Sequence, residues 1–273
     1  VFGAAPGWCV TAAADDGCKR PRNNSRGKIN VSQTDELASL AGELVGALGL
    51  QSPPLAISFT QHPLPGVEPF ADAMPEPTAD NRTGRVAAGC VFWMKAAEGS
   101  FSTVAEDHAN CSVGSVTHGF KSLQDVGDKT DVGTLVTAGW VSPEMFPHIP
   151  VVAQPYRYVS YGPLQAAGQL PDVVFLRLNA KQAMTVSDAF PDVQFEGKPQ
   201  CHIIALAKEQ GKIAISVGCM LSRVRTGMPN TEMTCAIPGA RLADTVQRIK
   251  TTVAIDASVA GYASEDGRRF QRG

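Results

Sequence analysis

Three cysteines stand in contexts suited to metal chemistry. Cys90 follows Gly89, Cys219 follows Gly218, and Cys111 closes a His-x-x-Cys step that begins at His108. A glycine beside a cysteine lets the backbone come close to a bulky group on the sulfur. Three thiolates from separate segments can hold three irons of a 4Fe-4S cluster and leave the fourth iron open. An open iron acts as a Lewis acid, whereas a four-thiolate cluster mainly carries electrons. His108 is spaced to serve as a fourth ligand, a proton shuttle or a donor to a ligand, with Glu106 and Asp107 to orient it. His118, between Thr117 and Gly119, is a second acid/base candidate, ahead of His62 and His148. Arg223 is suited to hold a substrate carboxylate or phosphate in its planar fork.

The remaining cysteines carry plainer expectations. Cys235 lies in an apolar strand and reads as core, the usual place of a free thiol. Cys201, at the head of an apolar helix, reads as packed core, with a fourth-ligand role as the alternative. Cys9 and Cys18 belong to an N-terminal segment expected to be a poorly packed tail. Lys95 reads as a solvated charge, and Phe92 and Trp93 as core.

Three functions compete on these residues. The first is an enzyme whose open 4Fe-4S cluster is held by Cys90, Cys111 and Cys219. It would act on a small anionic molecule by elimination, hydration, or removal of sulfur or halogen, with His108 as acid/base and Arg223 as anchor. The second is a thiol enzyme, with zinc or no cofactor, whose nucleophile is Cys90 or Cys111 activated by His108. The third is a non-enzymatic carrier of metal, haem or a small molecule.

The chain has 273 residues, a net charge of −2, 44% hydrophobic and 18% charged residues. That composition buries a sizeable core and excludes wholesale disorder. The neutral balance argues against a nucleic-acid partner, and no apolar run is long enough to span a membrane. A small molecule is the expected partner and the cytoplasm the expected compartment, with a homo-oligomer left open. Seven cysteines are too few for a disulfide scaffold at this length. Phosphate-loop, dinucleotide, nucleophile-elbow, zinc-helix and Cys-x-x-Cys patterns are all missing.

The elements that must position the cysteines follow from apolar spacing. A helix is expected over 33–48, with Leu37, Leu40, Ala41, Leu44, Val45 and Leu48 on one face and Gly49 as its stop. Ser32 and Asp35 resemble a capping box. Strands are expected at 55–59, 156–161, 173–178, 212–217 and 231–237. Helices are expected at 86–97, 181–190, 200–209 and 240–252. Residues 61–85 read as a surface loop, 110–120 as Gly- and Ser-rich, and 121–135 as polar. The organisation expected is a tail at 1–31, one domain at 32–256 and a polar, frayed tail at 257–273. The fold class is α/β or α+β, a single domain with a mixed central sheet flanked by helices.

Several of these stretches together resemble the DUF169 proteins, an uncharacterised and mostly prokaryotic family. The resemblance rests on Gly89-Cys90-Val91-Phe92-Trp93, Phe101-Ser102-Thr103, Glu106-Asp107-His108, Cys111, Gly114 and Thr117-His118. It extends to Pro171-Asp172-Val173-Val174-Phe175, Asn179, Gln182-Ala183-Met184, Ser216-Val217-Gly218-Cys219, Arg223, Thr226-Gly227 and Glu232-Met233. It covers about 37–253 and implies one cytoplasmic domain of that fold. It implies no reaction. It does support treating Cys90, Cys111 and Cys219 together.

Overall fold

The computed structural model describes residues 31–71, 89–109, 111–126, 131–153, 156–197 and 199–270. The tail with Cys9 and Cys18, and most of the acidic loop, lie outside the described residues. Seven strands form one sheet: β1 (Leu55–Thr60), β2 (Phe101–Thr103), β3 (Tyr158–Pro163), β4 (Val173–Leu178), β5 (Gln194–Glu196), β6 (Ala214–Ser216) and β7 (Met233–Pro238). Their order is β2-β3-β1-β4-β7-β6-β5. Only β5 and β6 run parallel, so the sheet is mixed, as expected.

Successive side chains on a strand point to opposite faces, and here both faces are apolar. Val173 and Phe175 of β4 enter one core; Val174, Leu176 and Leu178 enter the other. The sheet is therefore covered on both sides. One layer is α1 (Val31–Leu48), α5 (Ala180–Ala189) and α8 (Leu242–Phe270). The other holds four helices, α2 (Gly89–Lys95), α3 (Ser112–Thr117), α6 (Cys201–Gln210) and α7 (Met220–Thr226). A short α4 (Asp131–Thr137) packs against α3. The cysteine site lies in the second layer, while Cys235 is fully buried in the opposite core.

Caps and close approaches set the joints. Gly49 adopts φ 64° and ends α1, and Gly211, at φ 63°, ends α6. Gln182 accepts from Asn179 N–H (2.7 Å), and Asn179 accepts from Gln182 N–H (2.9 Å), a capping box that starts α5. The Gln182 amide also donates to the Leu48 and Gly49 carbonyls, pinning α5 to the end of α1. Gly239 lies against the Pro171 carbonyl so closely that a Cβ there would overlap its oxygen. Gly239→Ala must push β4 and β7 apart at their ends. The expected loss is about 3 kcal/mol, or roughly 10 °C in a chain of this size, read by thermal unfolding.

Several boundaries differ from the sequence reading. Residues 86–97 yield a helix only from Gly89, and α1 begins at Val31, so Ser32 lies inside it. The polar stretch 121–135 contains a tight turn at Leu123–Asp125 and the start of α4. The polar C-terminal stretch is not frayed through 270: α8 runs on to Phe270, with its last half exposed. Proline is absent from it, and the Asp266–Arg269 pair sits one turn apart. Strands β2 and β5 and helix α7 have too few residues to show a period.

Candidate functional site

Four cysteines, each at the start of a helix, line one cavity. Cys90 is the second residue of α2 and Cys201 the first of α6. Cys111 precedes α3 in an extended conformation, and its Sγ accepts from Gly114 N–H at 3.4 Å. Cys219 precedes α7 in the same way and accepts from Ser222 N–H at 3.3 Å. Backbone N–H groups aimed at sulfur favour the thiolate. The rest of the wall includes Gly89, Gly114, Trp93, Gln200, Ser222 and Arg225. Glycine is required at 218 for a local reason. Its φ is 91°, and a Cβ would meet the Gln200 amide nitrogen at 3.1 Å.

The structure thus brings together the three cysteines singled out by sequence and adds Cys201. Cys201 is packed core, as expected, and as the first residue of α6 it also lines the cavity with the other thiols, where its alternative role would place it. Burial is the dominant force on them. It pushes the Cys90 thiol up to about 12, and the neighbouring Cys111 and Cys219 push the same way. Cys201 is driven well above its ordinary range and Cys219 is raised, both chiefly by burial. The Arg225 charge opposes this at Cys90 and Cys219. Without a cation, these are neutral thiols at pH 7; a bound cation reverses that preference.

The other predicted residues have different surroundings. Arg223 is a structural clamp. Its guanidinium donates to the carbonyls of Pro229 (2.6 Å), Val217 (2.7 Å) and Glu232 (2.8 Å). The arginine that faces the cysteines is Arg225, two residues on. Glu106 is exposed, and Asp107 accepts from Val104 N–H, capping the Ala105–His108 turn; neither is hydrogen-bonded to His108.

His108 and His118 are buried side by side, with ring centroids 5.2 Å apart, behind Gly89. The Thr103 hydroxyl donates to Val159 O, so it accepts from His108 Nε2–H at 2.9 Å. His118 donates from Nδ1 to Gly114 O at 2.9 Å, and Tyr161 donates to its Nε2 at 3.4 Å. This leaves His108 Nδ1 buried without a partner. Burial lowers His108 well below its ordinary range, helped by His118, and lowers His118 to about 4. Both rings belong to an aromatic cluster with Phe59, Phe92 and Phe120 rather than to the cysteine wall.

A mixed sheet with helices on both faces and a thiol-lined pocket between helix starts defines an α/β protein with a candidate metal or cluster centre. The chain belongs to the DUF169 family, described as uncharacterised ArCR proteins; that family's model matches residues 43–248. No curated protein and no solved structure matches it. No helix among the described residues is long and apolar enough to cross a membrane.

Proposed function

We propose that the pocket holds an iron–sulfur cluster, with Cys90, Cys111 and Cys219 as ligands and Cys201 at the fourth corner. The observation that carries this is the convergence of four thiols from four helix starts on one cavity. Among the described residues, no group of three His, Cys, Asp or Glu is drawn tightly enough for a single metal ion. Thiolates sharing one zinc stand about 4 Å apart, given bonds of about 2.3 Å in a tetrahedron. Thiolates on separate irons stand wider, and four cysteines are a donor set for a cluster as well as for zinc. The open space among them is about 30 Å³, one water's worth. Loading a cluster therefore requires the thiols to move apart.

Cys201 decides the chemistry. It is the most deeply enclosed of the four, and burial drives its thiol well above the ordinary range. Kept as a neutral thiol, it leaves one iron open to polarise a small molecule in an elimination, a hydration, or the removal of sulfur or halogen. Around that iron, Arg225 supplies positive charge and Gln200 a buried, unpartnered carbonyl oxygen. The rival thiol-enzyme reading needs a base on a cysteine. His108, the base it would use, is bonded through Nε2 to Thr103 and stands outside the cavity wall.

Anaerobic purification followed by iron and acid-labile sulfide assays tests the proposal. A brown protein with about four irons and four sulfides per chain is expected. A colourless protein that takes up neither after reconstitution overturns it.

A further inference from the structure

Helix α8 outruns the body it packs on. Its inner face buries Leu242, Val246 and Ile249, but every residue from 257 to 270 is exposed. Among the described residues, nothing of the same chain covers that half. An isolated helix of about 12–15 residues is marginal in water, and Gly261 and Gly267 weaken this one further. Its outer face nonetheless carries large apolar side chains. Ile255, Val259, Tyr262 and Phe270 are 59%, 60%, 77% and 86% exposed. At about 100° per residue, the four fall within roughly 80° of arc.

Charges bracket this stripe on the same face. Asp244 and Arg248 precede it and Asp266 and Arg269 follow, all exposed and at steps of three and four through Thr251. Each couple is ion-paired along the helix, Asp244 with Arg248 at 3.2 Å and Asp266 with Arg269 at 3.6 Å. The face therefore reads acid, base, apolar centre, acid, base. Two such helices laid parallel and in register set every charge on its like. Laid antiparallel about an axis near residue 257, they set Ile255 against the second copy's Val259 and Tyr262 against its Thr251 and Thr252. Arg248 then meets the second copy's Asp266, and Asp244 its Arg269, so each opposed pair is of opposite sign. We propose that α8 is the face on which two copies of this chain associate, antiparallel and about a two-fold axis. Each exposed half lies along the other copy's packed half, where it gains the backing it lacks in a single chain. A large aromatic side chain buries about 150–250 Å², so Tyr262, Phe270, Ile255 and Val259 of both copies bring the buried area near the roughly 1,200 Å² of a specific interface. The inference stands apart from the cluster reading, since α8 and the thiols lie on opposite faces of the sheet.

The experiment is sedimentation velocity of the full chain across roughly 1–100 μM. A particle of twice the chain mass is expected. Tyr262→Glu changes a side chain that is 77% exposed in the single chain, so the core is left alone. It should weaken association by about a hundredfold or more. Arg248→Glu sets a carboxylate against the second copy's Asp266 and should weaken association about tenfold; Asp266→Arg should do the same. The two together restore opposed charges and should bring association back to within about threefold of the unaltered chain. A monomer at every concentration overturns the proposal, whether another segment of this chain or a different protein covers the stripe. Slow hydrogen exchange over 257–270 in that monomer would point to the first of these. A dimer that Tyr262→Glu leaves intact overturns the proposal as well, and so does a double variant as weak as the single ones.

Discussion

On the cluster proposal, Cys90→Ala, Cys111→Ala and Cys219→Ala, made singly and purified without oxygen, are each expected to hold far less iron and sulfide than the unaltered chain. Cys235→Ala is expected to keep all of it. A cluster is held only by its ligands, and removing one of three leaves an iron exposed to water and exchange. Cys235 is the matched control. It is equally free and fully buried, but it points into the opposite core, among Val174, Leu176 and Ile237. Its truncation removes a packed sulfur and costs about 1 kcal/mol without touching the pocket. Cys201→Ala separates the two chemistries. A cluster with an open iron survives this change; a four-thiolate cluster does not. Iron per chain and the visible absorption are the measurements. Equal iron in all five variants would show that the metal sits elsewhere.

The part of this site legible in sequence was the part written in short range. Gly-Cys steps at 89–90 and 218–219 and the His-x-x-Cys step marked three cysteines that fall at helix starts and line the cavity. Cys201 carried no such mark. It joins the others because α6 packs across the sheet face beside α3, and that contact is tertiary. The arginines show a different limit. Residues two apart on a helix point in nearly opposite directions, so Arg223 clamps three carbonyls while Arg225 faces the thiols. Nothing in the spacing says which face of α7 turns inward. His108 fails as a neighbour of Cys111 for a related reason. His108 is the last residue of the Ala105–His108 turn, whose orientation puts the ring behind Gly89.

The fold divides along the same line. The long strands were readable as near-continuous apolar runs, α1 and α5 because each buries one face at helical spacing, and α6 as an apolar run buried almost all round. A cavity of about 590 Å³ beside α3 and α6 was not. Much of its wall comes from short helices and turns between 112 and 149, where isolated apolar residues such as Leu135, Trp140 and Phe146 show no period. The mixed sheet was expected; the three-residue strands β2 and β5 at its two edges were not.

Acid should destabilise this protein before its carboxylates titrate. His118 is held at about 4 and His108 well below its ordinary 6.5, both by burial. In the unfolded chain each ring takes its proton near 6.5. Above that pH both states are neutral and the native state has its full stability. As pH falls through 6.5, the unfolded state gains protons that the folded state refuses, and stability drops. While it stays neutral in the folded protein a ring contributes about 1.4 kcal/mol per pH unit, so His118 removes about 2 kcal/mol between pH 6.5 and 5 and His108 adds to that loss. That is a large share of a typical stability of about 5–15 kcal/mol. For His118 alone the loss levels off near pH 4, where the folded protein also binds the proton. The groups packed on the pair, Phe59, Phe92, Phe120, Tyr161 and Thr103, carry no charge near neutrality and so cannot offset it. Urea unfolding of the metal-free chain at pH 7.5 and pH 5.0 should show the midpoint falling by roughly 1–2 M, given a slope of about 2–3 kcal/mol per molar. His108→Phe removes one of the two titrating rings from the aromatic cluster and should halve that fall, whatever it does to the midpoint at pH 7.5. A midpoint that holds steady or rises at pH 5.0 would mean that the rings are already charged in the folded state, and with it the buried neutral pair would be lost.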